Sequence, residues 1–170
     1  IYRLIHGEGD GIPGLIIDIY RNIAVIQAHS IGVHKDIHFL ADAIKSNFGP
    51  TIDTIYLRCK DTLPETYSQT IEDCFLLGQT EETIVSENNI QFKINVITGQ
   101  KTGFFLDQRE NRYLVGKLAK KKTVLNCFCY TGGFSLYALA GGAEQVTSVD
   151  ISQKAVDLMD ENIKLNGFLK

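Results

Sequence analysis

No apolar run in this chain approaches the roughly 20 residues that a membrane-spanning helix needs, and its opening residues carry no signal-peptide pattern. No membrane association is expected. The four cysteines (Cys59, Cys74, Cys127, Cys129) lack zinc-site spacing and do not resemble a secreted disulfide framework. A reducing cytoplasm is the expected setting. There is no surplus of positive charge either. Seventeen Lys and Arg stand against 20 Asp and Glu, a net of −3, whereas nucleic-acid binders usually present a basic face. Internal repeats and low-complexity tracts are absent. What remains is ordinary for a globular protein: 44 % apolar and 22 % charged, over 170 residues, enough for one or two domains with a real core.

The N-terminal half reads as mixed α and β structure. Asp10-Gly11 and Pro13-Gly14 are turn signals, and Leu15 to Ile19 and Ile23 to Gln27 are strand-like around a turn at Arg21-Asn22. His6, Glu8 and Asp10 could suggest a metal cluster but read better as polar loop residues ahead of a hairpin. A helix is predicted over Val33 to Phe48, with Ile37, Leu40, Ala41, Ile44 and Phe48 on one face and Gly49-Pro50 as its stop. His34 and His38 have the spacing of two zinc ligands, yet the glutamate of H-E-x-x-H is missing. A solvated helix face is expected there. Thr54 to Arg58 is a short strand, Lys60 to Asp73 an irregular surface excursion. Thr83 to Val85 and Ile90 to Val96 flank Asn88-Asn89 as a second hairpin.

The character of the chain changes near the loop Thr98 to Gly103, which predicts one domain over 1–96 and another over 97–170. Phe104-Phe105-Leu106 precedes a helix that Asp107 and Glu110 would open as a capping-box variant. Tyr113, Leu114 and Leu118 supply its apolar face, and Lys120-Lys121-Lys122 close it. Arg109 and Arg112 fall near its start, where the helix dipole disfavours positive charge. They mark either function or surface ion pairs with Asp107 and Glu110.

Val124 to Asp150 organises the rest. A short strand breaks at Tyr130-Thr131-Gly132-Gly133, a helix follows from Phe134 to Leu139, and a strand over Gln145 to Val149 ends in Asp150. Strand, glycine turn, helix, strand and acid make the first half of a doubly wound, Rossmann-like α/β sheet. Glycines let a ligand approach the backbone, and the terminal acid can accept both hydroxyls of a ribose. The turn lacks the G-x-G-x-x-G that packs a pyrophosphate, so a nucleoside with an amino-acid end, S-adenosylmethionine, fits better than a dinucleotide. A last helix, Ser152 to Asn166, has Ser152 as N-cap, Gly167 as stop, and Ala155, Val156, Met159 and Ile163 as its buried stripe. With no third strand before Lys170, one sheet edge and an apolar face would stay uncovered, and a fragment of a longer protein is expected.

VLNCFCYTGGFSLYALAGGA resembles the first motif of class I S-adenosylmethionine-dependent methyltransferases. With TGFFLDQRENR (Thr102 to Arg112) and GEGDGIPGLIIDIY (Gly7 to Tyr20), it is similar to the family of large-subunit ribosomal RNA cytosine-C5 methyltransferases, from that family's middle domain onward. The resemblance implies S-adenosylmethionine as cofactor and ribosomal RNA as partner, with the middle domain available for RNA contact and homodimerisation left open. It implies that Tyr130, Thr131, Gly132, Gly133 and Phe134 wall the methionine moiety. Asn126 would face the amino group, Asp150 hold the ribose and Ile151 pack on adenine, while Phe105, Gln108 and Arg109 close over the cofactor. It places the nucleophilic cysteine and its Asp-Pro-Pro loop beyond Lys170, so Cys127 and Cys129 are read as packing beside the turn. Two rivals stay open: a nicotinamide-dependent oxidoreductase, and a non-catalytic RNA-binding module with a vestigial turn.

Overall fold

The computed structural model describes residues 1–168. The chain divides into two compact units, residues 1–83 with 94–106, and 84–93 with 107–170. The division does not follow one cut near 96–97. The tip of the second hairpin groups with the C-terminal residues, and 94–106 return to the first unit. Charge divides with the units. The first carries seven basic and twelve acidic residues, net −5, and the second ten and eight, net +2.

The first unit is built on a sheet of β1 (Tyr2–His6), β2 (Leu15–Tyr20), β3 (Ile23–Ala28), β4 (Thr54–Arg58) and β5 (Cys74–Leu77), in that spatial order. Neighbours are antiparallel except β3 and β4, which run parallel from Ile23↔Thr54 to Gln27↔Arg58. A parallel pair needs a crossover, and α1 (Ile31–Lys35) with α2 (Ile37–Phe48) supplies it. Ile37, Ala41 and Ile44 recur at helical spacing and join Leu15, Ile17, Ile26 and Leu57 in one core.

The helix expected over 33–48 is thus two helices that meet at Asp36, the first capped by Ser30 Oγ accepting from the Val33 N–H at 3.3 Å. The break takes His34 and His38 off a common helix. His38 is exposed, while His34 is not purely solvated: its Nδ1 lies 3.2 Å from the Tyr67 hydroxyl with the rings edge-on. The excursion over 60–73 contains a helical turn, α3 (Glu65–Ser68), and leads into β5, which carries no alternation long enough to announce it. His6, Glu8 and Asp10 sit at a single 3₁₀ turn, and among the described residues no group of three or more His, Cys, Asp or Glu could hold a metal.

Beneath the sheet, Asp18 is wholly buried. Arg3 donates to it through Nε at 2.8 Å and Nη2 at 3.0 Å, and Thr102 Oγ1 donates as well. The Tyr20 hydroxyl bonds the same Thr102 at 2.7 Å, and burial raises its pKa.

The hairpin of β6 (Glu82–Glu87) and β7 (Ile90–Asn95) turns through Asn88 and Asn89 at φ 50° and 66°, the left-handed pair that a tight hairpin turn requires. In the second unit follow α4 (Arg109–Leu118), β8 (Thr123–Cys127), α5 (Gly133–Ala140), β9 (Gln145–Val149) and α6 (Gln153–Leu165). β8 and β9 pair in parallel from Thr123↔Gln145 to Cys127↔Val149. Leu125, Cys127 and Val149 lie on one face of this ribbon and are exposed. Cys127 therefore does not pack in a core, as expected of it, whereas Cys129 is buried.

Helix α4 departs from its reading. Its N-cap position is Gln108, whose side chain makes no capping bond, and Asp107 belongs to a short 3₁₀ turn just ahead of it. Tyr113, Leu114 and Leu118 are exposed, and Arg112 is the buried residue. The helix also ends at Leu118, leaving Lys120 to Lys122 in a turn with Lys121 at φ 57°. On α6, Ser152 Oγ accepts from the Ala155 N–H at 3.3 Å as expected, but the buried stripe is Ala155, Met159 and Asn162, with Val156 and Ile163 half-buried. Among the described residues no helix is long and apolar enough to cross a membrane. Lys170, beyond which the nucleophile is expected, lies outside them.

Candidate cofactor site

Strand β8 leaves its sheet at Cys127 and turns sharply before α5. Phe128, Tyr130 and Gly132 all take left-handed backbone conformations, at φ 58°, 47° and 78°. For a bulky residue such a conformation costs about 1–3 kcal/mol and clusters at functional sites. Hydrogen bonds from its own backbone help hold the turn in place. The Cys129 N–H donates to the Val149 carbonyl at 3.1 Å, the Tyr130 N–H to Asp150 Oδ2 at 2.9 Å, and the Gly132 N–H to the Cys129 carbonyl at 2.8 Å.

Asp150 is thereby more than the end of a strand. Its Oδ1 accepts from the Ser152 N–H at 2.9 Å while Oδ2 anchors the turn. The N–H groups of Ser152 and Tyr130 hold its carboxyl below the usual carboxylate range. Ile151 beside it is fully exposed, as is most of Phe128.

The underside of the turn explains its two glycines. A Cβ on Gly132 would lie 2.3 Å from Met159 Cγ, and one on Gly133 would lie 3.0 Å from Arg112 Cδ. Arg112 is 2 % exposed and donates to Glu87 through Nε and Nη2, both at 2.8 Å. Arg109 Nε adds a bond to Glu87 at 3.1 Å and the Tyr137 hydroxyl another at 3.0 Å. Burial pushes the Glu87 carboxyl up, but the Arg112, Arg109 and Tyr137 donors outweigh it and hold the group below the usual carboxylate range. Burial and the Glu87 charge push the Tyr137 hydroxyl up to about 12.

The two arginines thus share one buried carboxylate from the hairpin. Sequence reading passed over Glu87 and Asn162. The one signal for Glu87 was its position: it continues the inward alternation of Thr83 and Val85. Asn162 carries no such signal.

The second unit gathers Asn126, Tyr130, Thr131, Gly132, Gly133, Phe134, Asp150 and Ile151 at the C-terminal ends of β8 and β9. Asn126 Nδ2 donates to Ser135 Oγ at 2.8 Å, and Ser135 meets Ser148 at 2.7 Å, a polar chain from β8 through α5 to β9. Gln108 and Arg109 stand at the start of α4, where Gln108 accepts from Asn111 at 2.9 Å. Phe105 belongs to the first unit, with the Lys101 ammonium 4.5 Å from its ring centroid. Burial, and then the Asp150 charge, raise the pKa of the Cys129 thiol, the reverse of what a thiolate nucleophile needs. A cleft of about 380 Å³ in the same unit, between Tyr113, Lys117, Tyr137 and Ile90, involves none of the turn residues.

A family model for S-adenosylmethionine-dependent methyltransferases matches residues 62–169. The chain is 41 % identical over 169 residues to a protein of Pseudoalteromonas atlantica named ribosomal RNA large subunit methyltransferase I, covering 97 % of this chain and 42 % of that one. It is 39 % identical over 168 residues to the protein of that name from Aeromonas salmonicida, covering 98 % and 42 %. The chain therefore spans about two fifths of the length of the curated relatives it matches. Among solved structures, a SAM-dependent methyltransferase from Streptococcus mutans superposes with a TM-score of 0.85 at 29 % identity, over 99 % of this chain and 43 % of that one. A methyltransferase crystallised with SAH gives the same TM-score and identity, over 99 % and 42 %. The α/β methyltransferase fold is shared.

Proposed function

The chain belongs to the S-adenosylmethionine-dependent methyltransferase family, and we propose that its second unit holds that cofactor at the turn between β8 and α5, in an enzyme that methylates large-subunit ribosomal RNA. Asp150 carries this reading. Its carboxylate is ionised at neutral pH, with Oδ2 accepting from the Tyr130 N–H and Oδ1 from the Ser152 N–H, and the Ile151 N–H adding a smaller contribution. A carboxylate oxygen has a second lone pair, so both ribose hydroxyls find an acceptor.

Around it, Tyr130 to Phe134 wall the methionine moiety, and the absent Cβ atoms of Gly132 and Gly133 let the turn rest on Met159 and Arg112 beneath it. Asn126 presents its amide oxygen to the amino group, a neutral contact. Ile151, fully exposed, offers an apolar surface to adenine. Gln108 and Arg109, at the start of α4, close over the bound cofactor. The RNA reading rests on the names of the relatives and on the +2 charge of the second unit, against the −5 of the first. Phosphate backbones are bound by such local surpluses, whatever the net charge of the chain.

The finer reading is C5 of a cytosine. The cofactor supplies an electrophilic methyl group, but C5 is a poor nucleophile in the free base. A cysteine thiolate adding to C6 would raise electron density at C5, which would take the methyl group as the S–CH3 bond breaks and S-adenosylhomocysteine leaves; loss of the C5 proton and of the thiolate from C6 then restores the ring. Neither Cys127 nor Cys129 takes that role in this reading. The full-length protein, given large-subunit RNA and methyl-labelled cofactor, is expected to yield 5-methylcytidine on nucleoside analysis. Label on another atom would overturn the cytosine reading alone, and no transfer to RNA would overturn both.

A further inference from the structure

The structure assigns Asn162 a positioning role: its buried amide sets the Thr131–Gly132 peptide and, through it, the amino-acid end of the cofactor site. The assignment rests on the cofactor reading above. Asn162 is wholly buried. Its Nδ2 donates to the Thr131 carbonyl at 3.1 Å and its Oδ1 accepts from the Lys93 N–H at 2.7 Å. One turn further along α6, Asn166 accepts from the Gln91 N–H at 2.8 Å and donates to the Gln91 carbonyl at 2.8 Å. Two asparagines at i and i+4 therefore satisfy alternate backbone groups of β7, as a neighbouring strand would. Asn166 spends its contacts on the hairpin and on the helix backbone. Asn162 alone of the two also reaches the turn.

What it grips is the peptide ahead of left-handed Gly132, whose missing Cβ faces Met159 three residues before Asn162 on the same helix. One helix face thus meets that peptide from both sides, Met159 by packing and Asn162 by a hydrogen bond. The nucleoside end is held separately, since Asp150 is anchored by Tyr130 and Ser152 and by no atom of α6 beyond its cap. A change at Asn162 should move the amino-acid end and leave the ribose end where it is. A merely structural residue would weaken both ends together.

Asn162→Asp tests this in the full-length protein. The substitution is isosteric and keeps the acceptor for Lys93, but it turns an oxygen toward the Thr131 carbonyl. S-adenosylhomocysteine affinity, read by calorimetry, should fall about tenfold or more. Affinity for 5′-methylthioadenosine, which lacks the amino-acid end, should stay within about twofold of wild type. Asn162→Ala, which removes both contacts without adding charge, should shift the ratio of the two affinities in the same direction and covers the case in which the aspartate fails to fold. Equal weakening of both ligands, or none, would overturn the assignment while leaving the cofactor reading intact. A wild-type protein that binds neither ligand would overturn both.

Discussion

Each unit buries a carboxylate against an arginine, and the two pairs are built differently. In the first, Asp18 is wholly enclosed but Arg3 comes from the outermost strand of the sheet and stays 24 % exposed. In the second, Glu87 and Arg112 are both almost fully buried, and Arg109 and Tyr137 complete the carboxylate's set of donors. Burying two charges is expensive, and the cost is recovered only where every hydrogen-bonding group is matched. The first unit keeps one charge near water. The second keeps neither, and its pair lies directly beneath the glycine turn, with the Arg112 stem filling the space that a side chain on residue 133 would need. The more costly arrangement is found where the backbone must be held in conformations it does not prefer.

Removal of each acid should expose this difference most strongly. Glu87→Ala leaves Arg112 charged with no route to solvent, and about 3–5 kcal/mol of stability should be lost. Asp18→Ala lets Arg3 turn outward and should cost only about 1–3 kcal/mol. Hydrogen exchange on the full-length protein, followed separately in each unit, would show it; equal losses would end the distinction.

Next in size is Asp150→Ala, which should weaken S-adenosylmethionine binding by about 1.5–3 kcal/mol through loss of a charge-assisted contact. The turn loses its Tyr130 anchor as well. Calorimetry showing unchanged affinity in a folded variant would remove Asp150 from the site.

A smaller effect is expected from changing Cys127 and Cys129 to alanine together. Only Cys129 is buried, so the cost should be about 1 kcal/mol. Methyl transfer to RNA should continue in the full-length variant. Its loss, along with loss of the adduct trapped by a 5-fluorocytosine substrate, would make one of them the nucleophile.

The smallest effect is a dependence on pH. Because the folded protein holds Asp150 below its ordinary pKa, its contribution is complete above that ordinary value, about 4, and is lost as pH falls through the lower folded one. The group is only partly buried, and solvent screens the term. A shallow acid-side loss in the thermal midpoint of the wild type, absent from Asp150→Asn, is the expected record.

Much of the fold could be read from local pattern. Asn88-Asn89 demanded a tight hairpin, Ser152 capped the helix it was expected to cap, and β9 ends at Val149 with Asp150 following, as expected. The break at Asp36 and the strand at Cys74–Leu77 escaped notice because each is short, and a short element offers too few residues for its period to show. The face of α4 misled for another reason. Tyr113, Leu114 and Leu118 have the spacing of a buried stripe, yet Arg112 is the residue that goes inside.

What the sequence determined by itself is what short-range physics decides: where the backbone turns, which segments alternate, where a helix begins, and that an acid follows β9. The tertiary structure alone decided which polar groups would meet. Glu87 lies 25 residues from Arg112, Asn162 lies 31 from Thr131, and Lys93 lies 69 from Asn162. Periodicity tells which face a residue occupies and says nothing of what arrives opposite it. A buried amide or carboxylate is tolerable only once its partners are in place, so those residues acquire their meaning when the helices and the hairpin close around the turn.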